Sequence, residues 1–130
     1  MKLTKSCEYA LRIVLYLGKT DQKVTNQELS DTLYIPYHNL TKLIQQLSKA
    51  GVVKSFKGKY GGNQLRIQLE ELTLKDIIDI IDGPTELSEC LSNEMACSLF
   101  DACQLKHTFK KVQLEINSVL EAVNLAALKQ

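Results

Sequence analysis

The sequence predicts a mainly α-helical fold with a small β-hairpin, and three observations predict it. Apolar residues recur at helical spacing in segments divided by cap and turn residues. A single glycine-rich stretch, GKYGG, lies between two short β-like runs. The C-terminal segment carries an apolar repeat with a 3.5-residue period, the mark of a long helix with a seam. With 130 residues, 45% of them hydrophobic and 24% charged, the chain has enough apolar surface for one modest core. No stretch has the length and apolarity of a membrane span.

The elements follow in order. Leu3, Cys7, Ala10, Leu11, Val14, Leu15 and Gly18 keep helical spacing and predict a helix over residues 4–19. Its apolar centre is interrupted by Glu8 and Arg12 and has no small-residue cleavage site, so it reads as a retained helix rather than a signal peptide. Thr25 opens TNQE, a capping box with Glu28, before the short helix NQELSDTL with Leu29 and Leu33 inward. Tyr34 and Ile35 form a tight connection. Pro36 suits the first turn of the next helix, where its missing N–H has no partner to lose. That helix, PYHNLTKLIQQLSKA, buries Leu40, Leu43, Ile44 and Leu47, and Gly51 stands just past its end.

The stretch VVKSFKGKYGGNQLRIQL then predicts a hairpin with Gly58, Gly61 and Gly62 at its tip. Two helices, a tight turn and a basic hairpin make a winged helix-turn-helix domain over residues 1–83. Its last helix is TLKDIIDIID, capped by Thr73 and ended by Gly83-Pro84. Residues 84–103 form a cysteine-rich loop. Residues 104–130 predict a long C-terminal dimerisation helix, because Leu105, Phe109, Val112, Ile116, Val119, Val123 and Ala126 alternate at intervals of four and three. Leu120, Leu125 and Leu128 add a second stripe. One stripe can face the parent domain while Phe109, Val112, Ile116, Val119 and Val123 meet a second copy of the chain, giving a homodimer. The alternative is one amphipathic helix folded onto its own core.

Net charge is only +1, but charge is segregated. Residues 32–69 hold Lys42, Lys49, Lys54, Lys57, Lys59 and Arg66 and no acid, whereas residues 70–104 hold nine acids and one lysine. A basic block in a near-neutral chain can bind a polyanion. The second helix of a helix-turn-helix usually enters the DNA major groove. Here it offers Tyr37, His38, Asn39, Thr41, Lys42, Gln45 and Gln46 on its outer face. Asn and Gln can pair bidentately with adenine, Lys42 can reach guanine or phosphate, and Tyr37 and Thr41 can donate to phosphate oxygens. Lys57 and Lys59, among glycines that permit close approach, suit a phosphate or minor-groove contact. The expected partner is double-stranded promoter DNA, read by a dimer on a pseudo-palindrome.

Three of the four cysteines, Cys90, Cys97 and Cys103, fall within the stretch CLSNEMACSLFDAC, and His107 follows. Paired CxxC knuckles, typical of structural zinc, are absent. The longer intervals suit a loop around a larger inorganic object, an iron–sulfur cluster with three thiolates and a different fourth ligand. His107 and Glu8 are the candidates for that position. Their plainer readings are a surface histidine and an ion pair of Glu8 with Arg12. Cys7, on the apolar stripe of the first helix, reads as a buried structural thiol. Without a signal peptide or membrane span the protein is expected in the cytoplasm, where thiols stay reduced and clustered cysteines more often mean metal or redox chemistry. No nucleophile–base set points to an enzyme. The rival functions are a zinc-containing or metal-free DNA-binding regulator signalled by a partner protein, and an iron–sulfur electron carrier.

In MKLTKSCEYALR, LIQQLSKAGVVKSFKGKYGGNQL and CLSNEMACSLFDACQLKH, the chain resembles the bacterial winged-helix iron–sulfur transcriptional regulators, the family of IscR, NsrR, RirA and CymR. The resemblance covers nearly the whole chain. It implies a homodimer joined by the C-terminal helix, with a 4Fe–4S or 2Fe–2S cluster near the dimer interface. It puts Cys90, Cys97 and Cys103 at the family's cluster-cysteine positions, and Glu8 where some members place an acidic ligand from the other subunit. His107 lies near the histidine ligand of the assembly-regulator type, one residue further from Cys103. The implied function is a transcriptional regulator, a repressor, responding to nitric oxide, redox state or iron supply. ACQLK and QLSKAG look slightly more like the nitric-oxide-sensitive branch.

Overall fold

The computed structural model describes residues 2–129. Its elements run α1 (Lys5–Leu17), α2 (Asn26–Leu33), α3 (Tyr37–Lys49), β1 (Val53–Phe56), β2 (Gly62–Leu65), α4 (Leu74–Ile81) and α5 (Leu105–Ala122). Short 3₁₀ turns occupy Leu69–Glu71, three places in the cysteine loop, and Leu125–Leu128. The fold is the mainly helical, winged arrangement that the sequence predicts.

Each helix starts and stops for a local reason. Thr4 caps α1 by accepting from the Cys7 amide at 3.1 Å, and the helix buries Cys7, Ala10, Ile13, Val14 and Leu17. It ends two residues before the predicted Lys19. Thr25 accepts from the Glu28 amide, but Glu28 turns away to take a hydrogen bond from the Tyr16 hydroxyl, so only half of the expected box forms. The complete box is at Thr73, where Asp76 reciprocates. Between α2 and α3, Tyr34 adopts φ +55°, uncommon for a residue with a bulky side chain. It is held there because buried Ile35 donates back to Ser30 O and accepts from the Ser30 hydroxyl. Pro36 caps α3 from just outside the helix rather than joining its first turn. Gly51, at φ +82°, closes α3 with bonds from Gly51 N to Ser48 O and from Val52 N to Leu47 O, the two bonds of a Schellman motif.

β1 and β2 pair antiparallel, with Val53 opposite Leu65 and Phe56 opposite Gly62. Val24 adds a bridge to Asn63, so the segment before α2 extends the hairpin. At Gly61 a Cβ would overlap the Phe56 carbonyl oxygen, so this glycine serves the hairpin's own closure. The core beneath gathers Ile13, Leu17, Leu29, Leu40, Leu47 and Ile77, with α4 packed against α1, α3 and α5.

The C-terminal segment departs from the expected 104–130 helix. α5 stops at Ala122, and the chain turns back onto the winged body. Leu74 N donates to Val123 O and Leu125 N to Leu72 O, both at 2.9 Å, while Asn124 Nδ2 reaches Glu70 O. Leu125 is fully buried among the core residues. Val123 and Ala126 therefore leave the helical seam, because Val123 O, the Leu125 amide and the Leu125 side chain find partners on the body. Among the described residues, no helix is long and apolar enough to cross a membrane.

Candidate nucleic-acid interface and cysteine loop

The apolar positions Leu40, Leu43, Ile44 and Leu47 pin one side of α3 into the core, which forces its polar side outward. Tyr37, His38, Asn39, Lys42, Gln45 and Gln46 are exposed there. Thr41 is half-buried and its hydroxyl donates to His38 O at 2.9 Å, so its proton is directed into the helix rather than outward. No side chain caps the N-terminus of α3, which leaves its first-turn amides open. Lys57 and Lys59 are exposed between the strands of the wing, and Lys59 lies over the ring of exposed Tyr60.

Side chains that sequence reasoning did not single out hold this face together. Asn63 is buried in β2. Its Nδ2 donates to Val24 O at 3.0 Å and Asn26 Oδ1 at 2.7 Å, and its Oδ1 accepts from the Ser55 hydroxyl at 2.7 Å. Ser55 in turn meets Ser48 of α3 at 3.3 Å. A polar thread thus runs from α3 through the wing to the start of α2. Lys23 stands 4.1 Å above the Phe56 ring and Lys54 lies 5.1 Å from it, adding cations at the wing's base. The buried Asn has no periodic signature; only its place between a glycine pair and a β-run could have flagged it.

The cysteine loop leaves the body at a second latch. Asp82, just past α4, accepts from the Thr4 amide at 3.2 Å and from the Thr4 hydroxyl, joining the start of α1 to the point where the loop departs. Cys7, one helical turn on, has no exposed surface, and burial, aided by the Asp82 and Glu8 carboxylates, pushes its thiol up to about 11. This is the structural thiol the sequence predicted.

All four cysteines are free. Cys90 and Cys103 are half-buried and Cys97 is exposed. Cys90 and His107 line one cavity of about 280 Å³, with Leu91, Glu94, Phe100 and Lys106 around them. Cys97 and Cys103 do not border it. Glu8 lies exposed on α1, paired with Lys5 at 3.2 Å rather than with Arg12, which sits near the Tyr9 ring. Among the described residues, no three Cys, His, Asp or Glu side chains converge closely enough to hold a metal ion. The donor set, three free thiols and an imidazole, suits an iron–sulfur group in chemistry. The polypeptide alone does not assemble it.

On α5 the predicted dimer seam is uneven. Phe109 and Ile116 are half-buried, while Leu105, Val112, Leu114 and Val119 are exposed, Val119 at 65%. Gln113, between them, is buried.

The family model Rrf2, described as an iron-dependent transcriptional regulator, matches residues 3–130. The HTH-type transcriptional regulator NsrR of Shouchella clausii (strain KSM-K16) is 32% identical over 124 residues, spanning 93% of this chain and 83% of that protein. The solved structure of CymR, titled the global cysteine regulator of B. subtilis, is 26% identical with a TM-score of 0.70, covering 99% of this chain and 96% of its own. The structure of T. potens IscR, 23% identical, shares the fold with a TM-score of 0.74 over 98% of this chain and 85% of its own. With its winged helix-turn-helix and a family match running almost from end to end, this chain belongs to the Rrf2 family of transcriptional regulators.

Proposed function

We propose that this chain is a cytoplasmic DNA-binding repressor that acts as a homodimer and whose hold on promoter DNA is set by an iron–sulfur cluster responding to nitric oxide, redox state or iron supply. The observation that carries the reading is one loop with three free thiols, strung between the α1–α4 latch at Asp82 and the exposed helix α5. Cys90, Cys97 and Cys103 would hold the cluster. His107, which shares a cavity with Cys90, is favoured as the fourth ligand within one chain, and Glu8 remains the choice if the ligand comes from the second subunit. When bound, the cluster supplies an iron centre that nitric oxide or oxidants can attack.

The chain's own residues do the rest. Asn39, Gln45 and Gln46 present amides to base edges, while Lys42, Lys57 and Lys59 neutralise phosphates. Tyr37 and the open amides of the α3 first turn suit phosphate oxygens. Thr41 joins them only by giving up its bond to His38. The exposed Val112 and Val119 on α5, with Phe109 and Ile116 beside them, provide the surface for the second copy. A dimer would set its two reading helices about 34 Å apart, one DNA turn. Rearrangement of the loop changes that separation, and the cluster can bias DNA affinity only by binding the two arrangements unequally.

The test is anaerobic purification, an absorption spectrum, and iron and sulfide counts. DNA titration of the same sample follows, before and after nitric oxide. Iron-bearing dimer whose DNA affinity changes at least about fivefold supports the reading. Equal affinity with and without iron overturns it. One observation favours a second reading, a zinc-containing or metal-free regulator signalled by a partner: the three thiols do not converge in the polypeptide. Colourless, DNA-binding dimer from anaerobic cells would select it.

A further inference from the structure

We propose that Gln113 is the positioning residue that couples the cysteine loop to α5, an inference that rests on the regulatory reading above. Asn63 and Gln113 are the buried polar residues among those described, and Asn63 belongs to the wing. Gln113 lies mid-way along α5 and is 8% exposed. Its Oε1 accepts from the Leu87 amide at 2.8 Å. Its Nε2 donates to Thr85 Oγ1 at 3.3 Å and to Asn117 Oδ1 at 3.0 Å. One side chain therefore holds the first stretch of the loop, beyond Gly83-Pro84 and before Cys90, against the helix that carries the dimer seam.

The physical consequence is a rigid link. An amide group left without a partner in a buried place is expensive, whereas one kept paired is nearly neutral. If the segment at Thr85–Leu87 moves, either α5 moves with it or both sides lose partners. Gln113 also borders the cavity shared by Cys90 and His107, so whatever fills or empties that space acts beside the link. The turn Glu89–Leu91 also packs on α5, and a further contact, Lys106 over Phe100 at 4.1 Å, sits where the loop runs directly into the first turn of α5. The Lys106 contact cannot report on the loop's far end.

The first arm of the test uses iron-free, reduced protein, so it is independent of any cluster. N-ethylmaleimide modifies the accessible thiols and leaves buried Cys7. Hydrogen exchange then follows Leu87 and residues 109–117. In the native chain, alkylation should release the Leu87 amide and speed exchange in 109–117 about fivefold or more. Gln113→Leu should show a fast Leu87 amide from the start and an α5 response within about twofold, the bland end of coupling. Gln113→Glu, which keeps the acceptor for Leu87, should restore the native response. An α5 segment in the native chain that ignores alkylation, or a folded Gln113→Leu variant that responds like the native chain, overturns the proposal. If Gln113→Leu does not fold, the native chain and Gln113→Glu decide it alone, by whether Leu87 and α5 respond together. The second arm loads iron: Gln113→Leu should keep its iron while its loaded and iron-free DNA affinities converge. A native chain whose DNA affinity ignores iron would sink the regulatory reading, and the first arm would still judge the link.

Discussion

Between Thr4 and Asp82, groups withdrawn from water find partners within the chain, Asp79 Oδ1 excepted: Asn63 makes three side-chain hydrogen bonds, Thr73 and Asp76 complete a capping box, and Ile13, Leu29, Leu40 and Ile77 are sealed in one core. Between Gly83 and Gln104 the pattern inverts. Met95 is 92% exposed, Leu99 66%, three thiols are free, and the backbone bonds are those of short 3₁₀ turns. The first region is specified by its own packing. The second has few such partners of its own, and it is there that the proposed bound group would act. A segment that must change arrangement to carry a signal belongs at this low-stability end of the molecule.

The sharpest way to break that contrast is to hollow out the body. Ile77, fully buried on α4 against α1 and α3, loses most of its side chain in Ile77→Ala. We expect a loss of about 2–5 kcal/mol in urea unfolding. Leu99→Ala, in the exposed loop, should cost less than about 0.5 kcal/mol. Similar losses at the two positions would show the loop to be as firmly packed as the body.

Cys7 tests the same contrast through pH. Its folded pKa, pushed up to about 11, stands above the ordinary thiol value of 9.0. Folding therefore favours the protonated thiol. That contribution is complete below pH 9.0 and is lost as pH rises toward about 11. The two-unit gap corresponds to about 2–3 kcal/mol. The difference in stability between the native chain and Cys7→Ala, both reduced, should shrink by about that amount across this window. A constant difference would mean that Cys7 reaches water.

These tests also mark what was legible in the sequence. Helices α1 to α4 could be read because caps, turns and apolar spacing all pointed the same way: Thr25, Thr73 and Gly51 do in the structure what their residue types favour, while Thr4 turns out to cap the helix it was expected to open. The exposed face of α3 followed, since burial of Leu40, Leu43, Ile44 and Leu47 leaves few choices for the rest of the helix. The end of α5 was not legible. Val123 and Ala126 continue the 3.5-residue repeat, and only the tertiary pairing of residues 123–125 with Leu72 and Leu74 removes them from the helix. Periodicity also cannot show a polar residue such as Gln113 turned inward, nor say that Cys97 lies outside the cavity that Cys90 lines.

Asn63 sharpens the comparison at intermediate scale. Asn63→Leu removes the bonds to Val24, Asn26 and Ser55 and leaves their polar atoms to find other partners. The expected cost is about 1–3 kcal/mol, with faster hydrogen exchange at the Val24 amide as the wing loosens from α2. If the wing's lysines meet phosphates, as proposed, DNA affinity should fall alike for specific and random sequences. A loss confined to the specific site would instead give the wing a part in reading bases.

The smallest effect on folding should accompany the largest effect on the bound group. Cys97 is exposed and does not border the Cys90 cavity. In iron-free protein, Cys97→Ala should change unfolding free energy by less than about 0.5 kcal/mol, as for other surface substitutions. In protein isolated anaerobically, the same change should abolish the visible absorption band and remove bound iron, because the proposed site would lose one of its three thiolates. Iron retained in full would take Cys97 out of the ligand set. A large loss of stability in the iron-free variant would show that the loop packs around Cys97 on its own account, and the division between a self-sufficient body and a loop shaped by what it binds would no longer hold.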